Sequence, residues 1–434
     1  MKVVGLVTEY NPFHNGHRYH IEEAKRTTGA DYVIAVMSGN FVQRGTPAII
    51  DKYTRAEMAL RNGVDLVFEI PVCYATASAE YFALGAVSLL DKLGIVDEIC
   101  FGSECGDISI LKEIAQILVQ APKEYNEMLS RYMREGLAFP LAREKAFAQY
   151  LQVNNLLSEV RNEQLTKVLS EPNNILGIEY IKALLTLSSP IKPVTIQRKA
   201  AGYHDTELNH QNTQADYGNP PSAISSATAI RNFFMNTKEV NDLSPIADSV
   251  PNDVYERLIS NYHKTYPITE DAFTTIIRYK LLSENCDALS NYADITADLA
   301  DRMKNAANLY YTMDELTQHL KTRNLTLTRI NRALVHILLN IRKDVFAAYN
   351  MNGYTSYARI LGIKKESSHL LRTIEKNGRI PMIRKVSKDL KQLGPLGTQM
   401  LSEDLFATHL YNQAVFERYG TSLRNEYQRG IVIV

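Results

Sequence analysis

The stretch KVVGLVTEYNPFHNGH, residues 2–17, decides the fold. From Val3 to Val7 it is a nearly continuous apolar run, the pattern of a parallel strand buried on both faces. It then turns polar and aromatic, and a helix is predicted to begin at about Gly16. Two histidines, His14 and His17, thus fall three residues apart on the first turn of a helix that follows a parallel strand. In such sheets ligands bind at the carboxyl ends of the strands. The unpaired N–H groups and positive dipole end of the following helix attract phosphate. Gly16 lets a phosphate approach the backbone closely. Imidazoles placed there can donate hydrogen bonds to phosphate oxygens as charge develops during an in-line displacement, which is electrostatic stabilisation rather than covalent catalysis.

Working outward, the same buried-strand pattern recurs at residues 32–37, 65–70, 98–102 and 193–197. Between the first four runs lie stretches of helical spacing, at 21–28, 55–62 and 79–93. Strand and helix alternating in units of about 30 residues predict a doubly wound, Rossmann-like α/β domain with a parallel sheet. The pattern turns helical over 108–187, broken by Gly136 and Pro140, and returns to strand character at Val194. Residues 201–222 are polar and carry a proline pair, so they read as a mobile loop near the site. Past Ser244 only amphipathic helices are predicted, at 271–284, 288–306, 311–322 and 327–349. The expected organisation is a catalytic domain over 1–243 and an all-helical domain over 244–434.

Composition sets the outer bounds. The chain has 434 residues, 45% apolar and 22% charged, enough for two or three domains with cores of their own. Its formal net charge of zero hides an asymmetry. Between Lys321 and Gln392 there are 16 Lys or Arg against 4 Asp or Glu, so this stretch carries +12 and the remainder −12. Such a concentrated cationic stretch suits an anionic polymer. The N-terminal apolar run is short and interrupted by Glu9 and Asn11, unlike a signal peptide, and no run reaches membrane-spanning length. A cytoplasmic protein is expected. The four cysteines, Cys73, Cys100, Cys105 and Cys286, form no CxxC pair, so neither a disulfide framework nor a metal site is expected.

A second element answers the first. Residues 224–231, ISSATAIR, place Ser226 and Thr228 at a helix start and Arg231 one turn on. The hydroxyls can cap helix N–H groups and the guanidinium can neutralise outer phosphates. With His14-Asn15-Gly16-His17, this resembles the nucleotidylyltransferase superfamily with its HxGH signature, and both histidines and Arg231 become catalytic candidates. Lys52 and Arg55, in DKYTR, are further cationic candidates for acetate or pyrophosphate, with a solvated helix start as the alternative.

More specific runs extend the resemblance over the whole length: GLVTEYNPFHNGH, VMSGNFVQRG, DKYTRAE, FGSECGD, EPNNILGIEYIKAL, TIQRKAAGYH, ISSATAIR, TRINRALVHILLNI, ARILGIKK and LYNQ. Together they resemble the bacterial tRNA(Met) cytidine acetate ligase family. That resemblance implies two steps: acetate attacks the α-phosphate of ATP to give acetyl-adenylate and diphosphate, and the exocyclic amine of the wobble cytidine in elongator tRNA(Met) takes the acetyl group and releases AMP. A cytosine amine is a poor nucleophile because its lone pair is delocalised into the ring, so a mixed anhydride is chemically reasonable.

Carried over by position, the implied ATP site comprises Val7, Thr8, Glu9, Tyr10, Asn11, Pro12, Phe13, His14, Asn15, Gly16, His17, Arg18, Tyr19 and His20, then Gly102, Asn173, Arg198, Ser226 and Thr228. Asn174 is as plausible a reader as Asn173. Glu104 is a candidate to hold a magnesium-bound water. In the basic stretch the implied RNA contacts are Arg359, Lys364, Lys365, Arg372, Arg384 and Lys385, with Tyr354 or Tyr357 available to stack on an unpaired base. The alternative reading is a nucleotidylyltransferase joining ATP or CTP to a small phosphorylated metabolite, which leaves the basic stretch without a task.

Overall fold

The computed structural model describes residues 1–120, 122–154, 165–198, 225–236 and 240–434; the loop expected at 201–222 lies outside these. Five parallel strands form the centre of the molecule: β1 (Val3–Thr8), β2 (Tyr32–Ser38), β5 (Leu66–Ile70), β6 (Glu98–Ser103) and β7 (Lys192–Gln197). They stand in the order β5-β2-β1-β6-β7, so the winding reverses between β1 and β6. A short antiparallel hairpin, β3 (Phe41–Val42) with β4 (Thr46–Pro47), follows β2.

Except for the partly exposed β7, the strands are buried on both faces because alternate residues feed two cores. Val3, Ile34, Val36, Leu66 and Phe68 belong to one apolar cluster, and Val4, Leu6, Val33, Ala35 and Val67 to the other. Helices cover both sides: Ala79–Lys92 and Pro172–Thr186 contribute to the first cluster, Asn15–Thr28 and Lys52–Arg61 to the second. Burial on two faces removes the polar half of the usual strand alternation, which is why these runs look continuous. Among the described residues, 108–187 hold the helices Ile108–Gln120, Lys123–Arg134, Phe139–Val153 and Pro172–Thr186.

The C-terminal region is predominantly helical but also returns strands to the sheet. β8 (Ala358–Ile363) pairs antiparallel with β5, while β9 (Met382–Ile383) and β10 (Val432–Ile433) pair with β8. All six residues of β8 are buried. A six-residue apolar run among amphipathic helices has no period that separates strand from helix; only its partner β5 makes it a strand.

Candidate active site

The reversal of winding between β1 and β6 opens a crevice at the carboxyl ends of those strands, and the first loop enters it. His14 is the N-cap of the Asn15–Thr28 helix, in extended conformation. Its backbone N–H donates to Nδ1 of His17 at 3.2 Å. With Nδ1 an acceptor, the neutral His17 ring carries its proton on Nε2, leaving that edge as a donor. The His14 and His17 rings stack with centroids 3.6 Å apart, and Tyr10 meets His17 edge-on at 4.9 Å. Phe13 is wholly buried behind them.

Electrostatics keep this cluster neutral. Burial, reinforced by the Arg198 and Arg231 guanidiniums, lowers His14 to about 3. His20 falls to about 4 through burial and Arg198. His17 lies well below its ordinary value through burial, its neighbours His14 and His20, and Arg198. Buried Nδ1 of His14 and Nε2 of His20 have no hydrogen-bond partner among the described residues. Neutral imidazoles backed by two guanidiniums suit an anionic ligand that accepts hydrogen bonds without deprotonating its donors.

The second motif reaches the first by a direct bond. Arg231, on the Ala227–Asn236 helix, donates to the carbonyl of Asn11 at 2.8 Å and to Oγ1 of Thr228 at 3.0 Å. Oγ of Ser226 accepts from the Ala229 N–H at 3.0 Å, so it caps this helix. Asn15 is held from the same side, donating to the carbonyl of Asp248 at 2.8 Å. On the other flank, Arg198 follows β7 and donates to Oδ1 of Asn173 at 3.4 Å. A Cβ at Gly102 would stand 3.2 Å from Cγ of Arg198, so this glycine lets the arginine stem cross the end of β6.

Asn173 and Asn174 now separate. Asn174 is buried, and its Oδ1 accepts from the Glu104 and Cys105 N–H groups at 2.9 and 3.1 Å. Asn173 is the one that meets Arg198. Glu104 is a helix cap: its two carboxylate oxygens accept from the Asn173 and Asn174 N–H groups at 3.3 and 2.8 Å, and from the Asn173 side chain at 2.5 Å. This corrects the expectation that it holds a magnesium-bound water. Among the described residues no three His, Cys, Asp or Glu side chains gather as a metal site, so the protein groups present do not fit a resident ion.

With the site described, its relatives can be set beside it. A sequence model of the HIGH Nucleotidyl Transferase family matches residues 1–426. A Halothermothrix orenii protein named tRNA(Met) cytidine acetate ligase is 40% identical over 417 residues, 95% of this chain and 94% of that one. One of the same name from Acetivibrio thermocellus is 38% identical over 435 residues, all of both chains. This chain belongs to the tRNA(Met) cytidine acetate ligase family. Two crystal structures of Thermotoga maritima TmcAL, one bound with alpha-thio ATP and one apo, are 32% identical to it and cover 100% of both chains, with TM-scores of 0.88 and 0.90.

For a member of this family, two cationic residues singled out from the sequence need correction. Lys52 is wholly buried: its Nζ bonds both oxygens of Glu69 at 2.8 and 2.9 Å and Oγ1 of Thr408 at 2.9 Å. Burial lowers it to about 8, and it has no face left for acetate or diphosphate. Arg359, expected on RNA, is buried on β8, where Nε lies 3.3 Å from Glu69 and Nη2 pairs with Glu426. Tyr357 is likewise wholly buried, bonded to Asp404, and cannot stack on a base. DKYTR reads the same whether its cations face solvent or a buried carboxylate, because Glu69 and Glu426 are distant in sequence.

Arg55 takes a structural part, donating to the carbonyls of Ile50, Glu9, Ser38 and Gly39 and so joining the loops after β1 and β2. Glu9 accepts from the Gln43 N–H at 2.8 Å, tying the β3–β4 hairpin to the same loop. Arg18 faces outward, paired with Glu22 at 2.9 Å. Of the implied RNA contacts, Lys365, Arg372, Arg384 and Lys385 are exposed and Lys364 is half-buried. Lys364 donates its backbone N–H to Asp65, just ahead of β5, so Lys364 and Lys365 lie at the amino-terminal end of β5, the opposite end of the sheet from the histidines.

Proposed function

We propose that this chain is a tRNA(Met) cytidine acetate ligase, converting acetate and ATP to acetyl-adenylate and diphosphate and passing the acetyl group to the exocyclic amine of the wobble cytidine of elongator tRNA(Met), with AMP released. The observation that carries this reading is the convergence of two neutral histidines with Arg198 and Arg231 at the winding reversal of the sheet. Attack on the α-phosphate moves negative charge onto the departing diphosphate. Arg231 and Arg198 flank the loop where that charge would sit, and the Nε2–H of His17 is a donor that needs no proton transfer. Asn173, bonded to Arg198, would bind the nucleoside side of ATP, while Ser226 and Thr228 order the helix start that carries Arg231. Magnesium, if bound with ATP, would be held chiefly by the phosphates.

The part up to residue 243 would carry activation, and the exposed cations of 364–388 would hold tRNA phosphates. The Thermotoga maritima relative bound with alpha-thio ATP supports an ATP site, and the relatives' shared name supports the acceptor. Exchange of labelled diphosphate into ATP should require acetate, and labelled acetate should enter tRNA with equimolar AMP. Exchange that requires a phosphorylated metabolite in place of acetate would establish the alternative nucleotidylyltransferase reading.

A further inference from the structure

A cavity of ≈ 260 Å³ lies between the β3–β4 hairpin and the C-terminal helices. Its walls include Phe41, Pro47, Phe273, Met313, Leu334 and Leu338. Three carboxylates, Glu270, Asp271 and Asp314, stand exposed at its rim. An apolar cavity of about 150 Å³ already accepts a benzene ring, so this one has room for a pyrimidine. Phe41 and Phe273 lie 5.5 Å apart, tilted by 52°, and are almost wholly buried in the cavity wall.

The cavity is joined to the ATP loop by short links. Asn11, whose carbonyl accepts from Arg231, also accepts the Ile49 N–H on its side chain at 2.9 Å. The Ile49 carbonyl accepts from Ile268 at 3.1 Å, one residue before the cavity wall at Thr269. Met235, which also lines the cavity, stands one helical turn after Arg231. The hairpin wall is pressed against the helix behind it: a Cβ at Gly45, where φ is 75°, would fall 2.2 Å from the Arg332 backbone nitrogen.

A rim of carboxylates repels phosphate and acetate but accepts hydrogen bonds from an amine. Two groups in the proposed reaction carry a neutral amine on a flat ring, the adenine of ATP and the cytosine; the adenine goes with its phosphates to the histidine loop, which leaves the cytosine amine for this rim and its ring for the apolar walls. Carboxylate recognition of that amine distinguishes cytosine from uracil, which carries an acceptor at the same position. Enzymes that modify a base draw it out of its stack into such a pocket. We propose that this cavity receives the cytosine whose amine is acetylated, and that Glu270 accepts a hydrogen bond and then a proton from that amine. The proposal rests on the acetate-ligase reading above.

In the step, the amine nitrogen bonds to the acetyl carbon and the bond from that carbon to the adenylate oxygen breaks. AMP leaves with the electron pair, and the amine proton passes to the Glu270 carboxylate and on to water. Burial on the cavity side raises Glu270 above its ordinary value; Asp271 and Asp314 push the same way, while Arg231 opposes them. A more basic carboxylate is a better acceptor for this proton.

Two variants test this, each assayed for acetate-dependent ATP–diphosphate exchange and for acetyl transfer to tRNA(Met). Loss of a general base costs about 10²–10⁴-fold. Glu270→Gln should therefore lose about 100-fold or more in transfer kcat, together with the acid limb of its pH profile, while exchange stays within about two-fold. Met235→Trp, at a half-exposed position, should fill the cavity and block transfer with exchange intact. Either variant transferring acetyl at the wild-type rate overturns the proposal, as does loss of exchange in parallel with transfer. A wild-type protein without acetate-dependent exchange overturns the acetate reading itself, whatever the variants do.

Discussion

In the proposed reaction His17 would act through a proton whose position the fold dictates. Its Nδ1 is taken by the His14 N–H, so the donor is Nε2–H, and burial keeps the ring neutral. His17→Ala should slow acetyl-adenylate formation by about 10²–10³-fold, the usual effect of removing one preorganised donor. Glutamine, whose amide reaches the Nε2 position, should recover part of that loss in the same exchange assay. Because His14 and His20 also lie far below ordinary histidine values, at about 3 and about 4, the exchange rate should show no ionisation near pH 6.5. Lys52 behaves oppositely, as a buried cation whose removal leaves two carboxylates, Glu69 and Glu426, against the single cation Arg359. Lys52→Met should cost about 3–5 kcal/mol in urea unfolding, while the folded protein keeps its KM for ATP within about two-fold.

At the scale of elements, the long Pro395–Tyr419 helix is fastened to the sheet by Asp404, which accepts from the Val72 N–H at 2.7 Å and from the Tyr357 hydroxyl. Burial, then the charge of Glu69, raises Asp404 to about 7; Glu403, one residue earlier, rises to about 8. Between the unfolded carboxylate value and these folded values, the native protein holds protons that the unfolded chain has released. Stability on this account falls as pH rises from about 4 to about 8. Asp404→Asn should make the urea midpoint less sensitive to pH across that range; Glu403, titrating in the same direction, keeps some of the slope. An unchanged slope would remove Asp404 from this account. Element boundaries were legible where the neighbours were local: β1 is followed by a helix, and β2, β5 and β6 are each preceded by one. β8 was not, because its strand character comes from β5, almost 300 residues earlier.

At the scale of the molecule, the cationic stretch divides. Arg359 and Arg332 are paired with acids inside the fold, whereas Lys365, Arg372, Lys376, Lys385 and Lys388 remain exposed. Reversing Arg372, Lys376 and Lys385 to Glu should weaken tRNA binding by about ten-fold or more near physiological salt and flatten its salt dependence. Exchange with acetate should be unaffected, because these residues lie outside the histidine site. Filter binding across a salt series measures the first effect; an unchanged slope would place the tRNA elsewhere.

The residues whose chemistry depends on nearby sequence could be read directly. His14 and His17 share one helical turn, the strand before them is a local apolar run, and Ser226, Thr228 and Arg231 share the next motif, so the sequence alone sufficed for the parallel sheet and the family. What only the tertiary structure decided was the use of charges and amides whose partners are remote. Lys52 and Arg359 became buried ions because Glu69 and Glu426 meet them in space; Glu104 became a helix cap because residues 173 and 174 return beside β6; Glu270 came to line a cavity with the β3–β4 hairpin and the C-terminal helices. A side chain's residue type limits what it can do, but its desolvation and partners choose among those uses, and both come from contacts that the linear order does not display.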